Sequence, residues 1–218
     1  LLRLGWGGLT QAPTILCIGA HCDDIEIGCG GTLAQWADLY PQARFVWAVF
    51  SGTEERVAET RAAARALLGP ERGTDLHFYG CRDSYFPAQF AEVKDALAGL
   101  GRRLQPDLVL THYEHDRHQD HRVLAELTWN VFRNHLVLEY EIPKYDGDLG
   151  APNVFVPLST ASATRKVDAL LSSFASQRGR DWFTADTFNA LLRLRGIESK
   201  APSGLAEAFY ARKLVLAS

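Results

Sequence analysis

The sequence predicts a doubly wound α/β sheet, Rossmann-like and mostly parallel, on three observations. Short unbroken apolar runs, Thr14–Gly19 and residues 44–50 above all, have the character of parallel strands buried on both faces. The segments between such runs carry apolar residues at helical spacing. Strands and helices then alternate as far as about residue 135, the grammar of a sheet covered on both sides by right-handed crossovers.

The first strand, Thr14–Gly19, leads into a glycine-rich stretch that reads as a turn, with a short helix from about 32 to 40. Residues 44–50 (RFVWAVF) make the second strand. After Ser51-Gly52-Thr53 comes a helix with Val57, Ala64, Leu67 and Leu68 on one face, stopped by Gly69-Pro70. Residues 76–79 form a short third strand. Phe90, Val93, Leu97, Leu100 and Leu104 mark the next helix, which Pro106 ends. Residues 108–110 are the fourth strand, and a helix from about Asp120 turns Leu124, Leu127 and Val131 inward.

Beyond residue 136 the pattern changes. Residues 136–142 and 154–158 read as strands around a loop rich in Pro, Gly and Asp. Val167, Leu170, Leu171 and Phe174 mark one helix, and Phe188, Leu191 and Leu192 another. No flexible linker separates this part. The expectation is one domain over 1–218, with 14–135 as the core carrying the chemistry and 136–218 as a C-terminal α/β elaboration supplying substrate-side elements. No internal repeat or low-complexity tract is present.

Composition narrows the function classes. The 23 Lys+Arg against 26 Asp+Glu give a formal charge of −3, which argues against a strongly basic nucleic-acid binder. The 47% apolar content of 218 residues is enough for a sizeable core and excludes disorder for most of the chain. No run of about 18 apolar residues suggests a membrane span, and the opening LLRLGWGGLTQAP lacks the apolar stretch of a signal peptide. Cys17, Cys22, Cys29 and Cys81 form no CxxC pair and are few, so reduced thiols in the cytoplasm are expected. Met is absent throughout, position 1 included, and the expectation is that the native start is missing or removed. Homo-oligomers are left open.

Two clusters stand out. One is Ala20-His21-Cys22-Asp23-Asp24-Ile25-Glu26, after strand one; the other runs from His112 to His121, after strand four. In a sheet of order 3-2-1-4-5 those strands are neighbours, and ligands bind at the crevice where the order reverses. Segments about 100 residues apart should therefore meet.

Histidine with carboxylate suits a catalytic zinc that keeps one position for water. His21, Asp24 and His121 can supply three ligands, a set that would also accept Fe²⁺, Co²⁺ or Mn²⁺. Zinc lowers the pKa of its water to about 7, and Asp23 can take the remaining proton as general base. His118, one turn before His121, can stabilise an oxyanion, with Asp120 orienting its imidazole. His115 is expected to be solvated, and His77 and His135 to have surface or core duty.

Simpler readings exist for each feature. Paired aspartates after a strand are often a solvated helix cap. Gly28-Cys29-Gly30-Gly31 invites a dinucleotide reading, but His21 to Glu26 intervene after the strand and the third fingerprint glycine is Leu33. Those glycines are expected to allow a tight turn and close helix packing. No Gly-x-Ser-x-Gly elbow is present. Cys22, flanked by acids, reads as a small side chain filling the turn.

AHCDDIEIGCGGTL (20–33) resembles the AHPDDExxxxGGTL signature of the LmbE-like (PIG-L) zinc-dependent de-N-acetylases. HDRHQDH (115–121) resembles the family's second signature, ending HPDH, and 55–69 resembles its helix after strand two. The similarity covers roughly 14–135. The resemblance implies hydrolysis of the acetamide of an N-acetylated amino sugar or conjugate, of N-acetylglucosamine type. By motif position, His21, Asp24 and His121 would bind zinc, and Asp23 would be the base. His118 would stabilise the tetrahedral intermediate with Asp120 in support, and Arg56 and Asp83 match positions that contact sugar hydroxyls in some members. Their alternative is a charged helix face and a turn aspartate. Two family prolines are replaced, by Cys22 and Gln119; neither is a ligand position. An ester or phosphodiester hydrolase on the same scaffold, or a non-catalytic sugar-binding module, are the alternatives. The uncommitted Asp23 argues against the module.

Overall fold

The computed structural model describes residues 12–72 and 75–215. Five parallel strands, β1 (Thr14–Gly19), β2 (Arg44–Val49), β3 (Asp75–Phe78), β4 (Leu108–His112) and β5 (Leu136–Tyr140), are joined by helices α1 (Asp24–Leu39), α2 (Glu54–Leu68), α3 (Phe90–Arg103) and α4 (Gln119–Val131). After β5 come β6 (Val154–Pro157), α5 (Thr160–Ser173), a 3₁₀ turn (Ala175–Gln177), α6 (Ala185–Ser199) and β7 (Ala206–Tyr210). The seven-stranded sheet runs β3-β2-β1-β4-β5-β7-β6, with β7 antiparallel to both its neighbours. The expected 3-2-1-4-5 order is therefore present, extended by two antiparallel strands.

Side chains alternate along the strands and feed two cores. Ile15 and Cys17, Phe45 and Trp47, and Leu108 and Leu110 face α1, α2, α5 and α6. Leu16 and Ile18, Val46 and Ala48, and Val109 face α3 and α4. Both faces are buried, which is why these strands are apolar throughout.

The structure corrects two expectations. Helix α1 begins at Asp24, not near 32, and contains the glycine cluster. The reason is steric: a Cβ on Gly28 would stand 2.2 Å from the Tyr140 ring, and one on Gly31 2.5 Å from Leu158. Here glycine allows close approach of β5 and of the residue after β6, not a turn. The second correction is β7, which sequence reading missed. Its Glu207 is buried, receives the N–H groups of Gly31 and Thr32 at 2.9 and 2.6 Å, and pairs with buried Lys166 at 2.6 Å. Lys166 also donates to the Ile27 carbonyl at 2.5 Å, so an ion pair from the C-terminal third grips the flank of α1.

Candidate metal centre

β1 and β4 end side by side, and the turns that follow them carry the two clusters. The Ala20 N–H donates to His112 Nε2 at 2.9 Å, tying the turns together across 92 residues. Asp23 occupies the N-cap position of α1 at φ 112°, a left-handed conformation unusual for a non-glycine residue, and makes no capping bond. Its carboxylate instead meets Arg56 at 2.8 Å. Asp24 accepts the His21 N–H at 2.7 Å, which turns its carboxylate back toward the imidazole. Neither aspartate is a solvated cap.

His21, Asp24 and His121 converge. His21 Nδ1 lies 3.2 Å from His121 Nε2 and 3.4 Å from Asp24 Oδ2, and His121 Nε2 is 3.5 Å from Asp24 Oδ1. Ligand atoms 2.0–2.1 Å from a tetrahedral ion stand about 3.3–3.4 Å apart; these contacts are of that size, with Asp24 offering one oxygen to each imidazole, so the three side chains can close on a zinc-sized cation. The outer nitrogens are engaged: His21 Nε2 is 3.2 Å from both Asp120 and Asp83, and His121 Nδ1 is 2.9 Å from Asp116. That arrangement directs the two remaining imidazole lone pairs at each other, where a cation can take both. Neighbouring groupings of the same kind are His21–His118–His121, Asp24–His112–His121 and His21–Asp83–Asp120.

Electrostatics follow from burial and these partners. Burial opposes protonation of His21, but Asp120, Asp24 and Asp83 together hold its pKa well above the usual histidine range. Burial pushes His121 down to about 4, with His112 adding to the effect. Asp24 is held well below the carboxylate range by His121 and His112, against its burial. Asp23 is pushed up to about 7 by burial, while Arg56 pulls it down. Burial pushes the Cys22 thiol up to about 11, and its Sγ lies 3.6 Å from the Ser51 carbonyl, so it fills the turn.

His118 and Asp120 differ from the expected pairing. His118 is the N-cap of α4, its Nδ1 accepting the Asp120 backbone N–H at 3.3 Å, and its ring stands edge-on to His21 with centroids 4.8 Å apart. The Asp120 carboxylate does not orient His118. It accepts the N–H groups of Ser84 at 2.6 Å and Phe86 at 3.0 Å and reaches His21. Arg56 is likewise turned onto Asp23 and the Cys22 carbonyl. Asp83 is exposed but points at His21.

Sequence reading missed three contributors. Asp116 sits in the second motif and could have been found there. His112 ends β4, within the run of histidines at three-residue spacing, and is fully buried. Lys144 carried no signal: it lies in the 143–153 loop, and only the fold brings its ammonium within 2.9 Å of Asp116.

A family profile described as PIG-L: GlcNAc-PI de-N-acetylase matches residues 16–132. The chain belongs to the PIG-L family. Over 140 residues this PIG-L chain is 34% identical to the protein named uncharacterized deacetylase YaiS of Escherichia coli (strain K12), covering 59% of this chain and 74% of that one. Among solved structures it resembles N,N'-diacetylchitobiose deacetylase from Pyrococcus horikoshii, at 20% identity and TM-score 0.70 over 92% of this chain and 84% of that one. It equally resembles GalB, the 4-carboxy-2-hydroxymuconate hydratase of Pseudomonas putida KT2440, at 19% identity and TM-score 0.73 over 94% and 98%. At such identities the likeness is one of fold. A deacetylase and a hydratase share it, so the residues of the site must decide the chemistry in this PIG-L protein.

Proposed function

We propose that this protein is a zinc-dependent hydrolase that removes the acetyl group from an N-acetylated amino sugar or sugar conjugate. One observation carries the reading: His21, Asp24 and His121 converge within 3.2–3.5 Å of one another, and the buried Asp23, held by Arg56, adjoins Asp24 in the chain. Family membership and the deacetylase relative support it. Bound zinc would supply a water of pKa about 7 and a Lewis acid for the acetyl carbonyl.

The chain's own residues do the rest. Asp23, buried and raised toward neutrality, takes the proton of the attacking water and returns it to the leaving amine. Arg56 keeps that carboxylate in place. His118 has its Nδ1 filled by a backbone N–H, and its pKa is lowered by burial and by His21, so the neutral ring carries its proton on Nε2. That N–H donates to the oxygen that becomes negative as the carbonyl is attacked. Asp120 and Asp116 orient the two ligating imidazoles. Asp83, exposed at the rim, is placed to meet a sugar hydroxyl. Residues 1–218 form one domain in this reading, the C-terminal third building the substrate side of the mouth in a cytoplasmic enzyme. No helix among the described residues is long and apolar enough to cross a membrane, and all four cysteines are free.

Acetate release from N-acetylglucosamine derivatives, free, nucleotide-linked, inositol-linked and aminoglycoside-linked, tests this with chelated protein before and after zinc. Release restored by zinc is expected. Silence on every substrate despite stoichiometric zinc would sink the de-N-acetylase reading and point to another acyl, ester or phosphodiester substrate.

A further inference from the structure

We propose that His112 is a positioning residue for the metal centre, a single buried imidazole that sets the mutual placement of all three ligands. The inference rests on the zinc reading above. His112 is the last residue of β4 and is fully buried. Its ring lies flat on that of His121, with centroids 3.9 Å apart and an interplanar angle of 17°. Its Nε2 accepts the N–H of Ala20 at 2.9 Å and so holds the backbone that delivers His21. The same nitrogen stands 3.2 Å from Asp24 Oδ2. One side chain thus touches two ligands and the main chain leading into the third.

The chemistry of that nitrogen explains why a histidine is there. Accepting the Ala20 N–H leaves Nδ1 to carry the ring's proton, and Nδ1 is buried with no hydrogen-bond partner among the described residues. An orphaned buried donor is destabilising. The rest of β4 is Leu108, Val109, Leu110 and Thr111, whose hydroxyl is paired with Thr128. A phenylalanine at 112 would keep the stacking face and remove that orphan but would strip the buried Ala20 N–H of its acceptor, so packing alone does not account for the imidazole. The Nε2 lone pair does. It satisfies the buried Ala20 N–H, and the same edge of the ring, 3.2 Å from Asp24 Oδ2, limits how far the carboxylate can swing back. The nearby Tyr140 hydroxyl does not fill this role, because its proton is given to the Ile18 carbonyl at 2.6 Å. Asp24 is kept forward, toward His21 and His121.

The test compares H112F and H112Q with the wild type on three readouts: zinc affinity by chelator competition, the visible spectrum of the Co²⁺ form, and the unfolding midpoint of chelated protein. H112F is expected to lose about 10–100-fold in zinc affinity, the range for residues that orient ligands, and to shift the Co²⁺ bands. Its metal-free midpoint should stay close to that of the wild type, since the Nδ1 orphan is exchanged for an Ala20 N–H that has lost its acceptor. H112Q, whose amide oxygen can reach the Ala20 N–H, should recover most of the affinity. Wild-type affinity and spectrum in H112F would overturn the proposal, as would equal losses in H112F and H112Q. Should phenylalanine prevent folding, glutamine against asparagine decides, because only the longer amide reaches the Nε2 position. A wild type that binds no zinc would refute the metal reading and this inference with it. One that binds zinc without releasing acetate would refute only the substrate reading.

Discussion

In the proposed mechanism Asp23 is the residue on which the chemistry turns. Asp23→Asn keeps the shape and removes the base, so acetate release should fall by about 10²–10⁴-fold while zinc stays bound at one per chain. Unchanged turnover would remove Asp23 from the mechanism. His21 makes a second expectation. Its carboxylate neighbours hold its pKa well above the usual range, and a ligand must be deprotonated, so in the proposed zinc site the metal has to displace that proton. Apparent zinc affinity should therefore climb as pH rises toward the His21 pKa and flatten beyond it. Calorimetry in buffers of different ionisation heat should show a proton released at neutral pH, and none released would contradict the assignment. Most of this centre was legible in the sequence, because His21, Asp23, Asp24, His118 and His121 are chemically distinctive and fall just after two strands. The direction of Asp120 was not, since whether a carboxylate turns to His118 or His21 depends on the loop that brings in Ser84 and Phe86.

Helix α1 shows where the reading of elements ran out. Four residues with three glycines look like a turn when only local preference is weighed, and the contacts that make glycine necessary come from Tyr140 and Leu158, more than 100 residues away. The three glycines are not equivalent. Gly28→Ala would drive a methyl into a buried ring whose hydroxyl is fixed on Ile18, and should destabilise by about 1–3 kcal/mol. At Gly30 the nearest atom to an added Cβ is a Leu67 methyl at 3.4 Å, ordinary contact, so Gly30→Ala should be neutral or stabilise by up to about 1 kcal/mol through helix propensity. Denaturation midpoints of the two variants should move apart; a Gly28→Ala midpoint at or above that of Gly30→Ala would refute the steric account. β7 escaped notice for a related reason. AEAFY is short and places a glutamate at a core position, and only the lysine on α5 makes that burial tolerable.

At the scale of the whole molecule the C-terminal third is knitted into the centre at separate points. Lys144 reaches Asp116, Ser176 donates to Glu59 on α2 through both N–H and hydroxyl, and Glu207 holds the flank of α1. A fragment ending at residue 135 would lose β5, the cover over Gly28 and the partner of two α1 N–H groups. It should show no cooperative unfolding transition. A sharp transition in that fragment would mean that 14–135 folds alone and that the chain is two units. The parallel core was predictable because apolar runs and helical spacing are local properties. Of the antiparallel edge, β6 was legible as a strand but β7 was not, and their register is set by partners distant in sequence.

The left-handed backbone at Asp23 has a consequence for how such an enzyme can change. A non-glycine residue held there costs about 1–3 kcal/mol, and in the proposed mechanism the carboxylate it positions as base is what that cost serves. Asp23→Gly should thus give a protein that melts at a higher temperature and does nothing. Selection for robustness alone would drift toward the inert variant, and only continued demand for turnover keeps the aspartate in place.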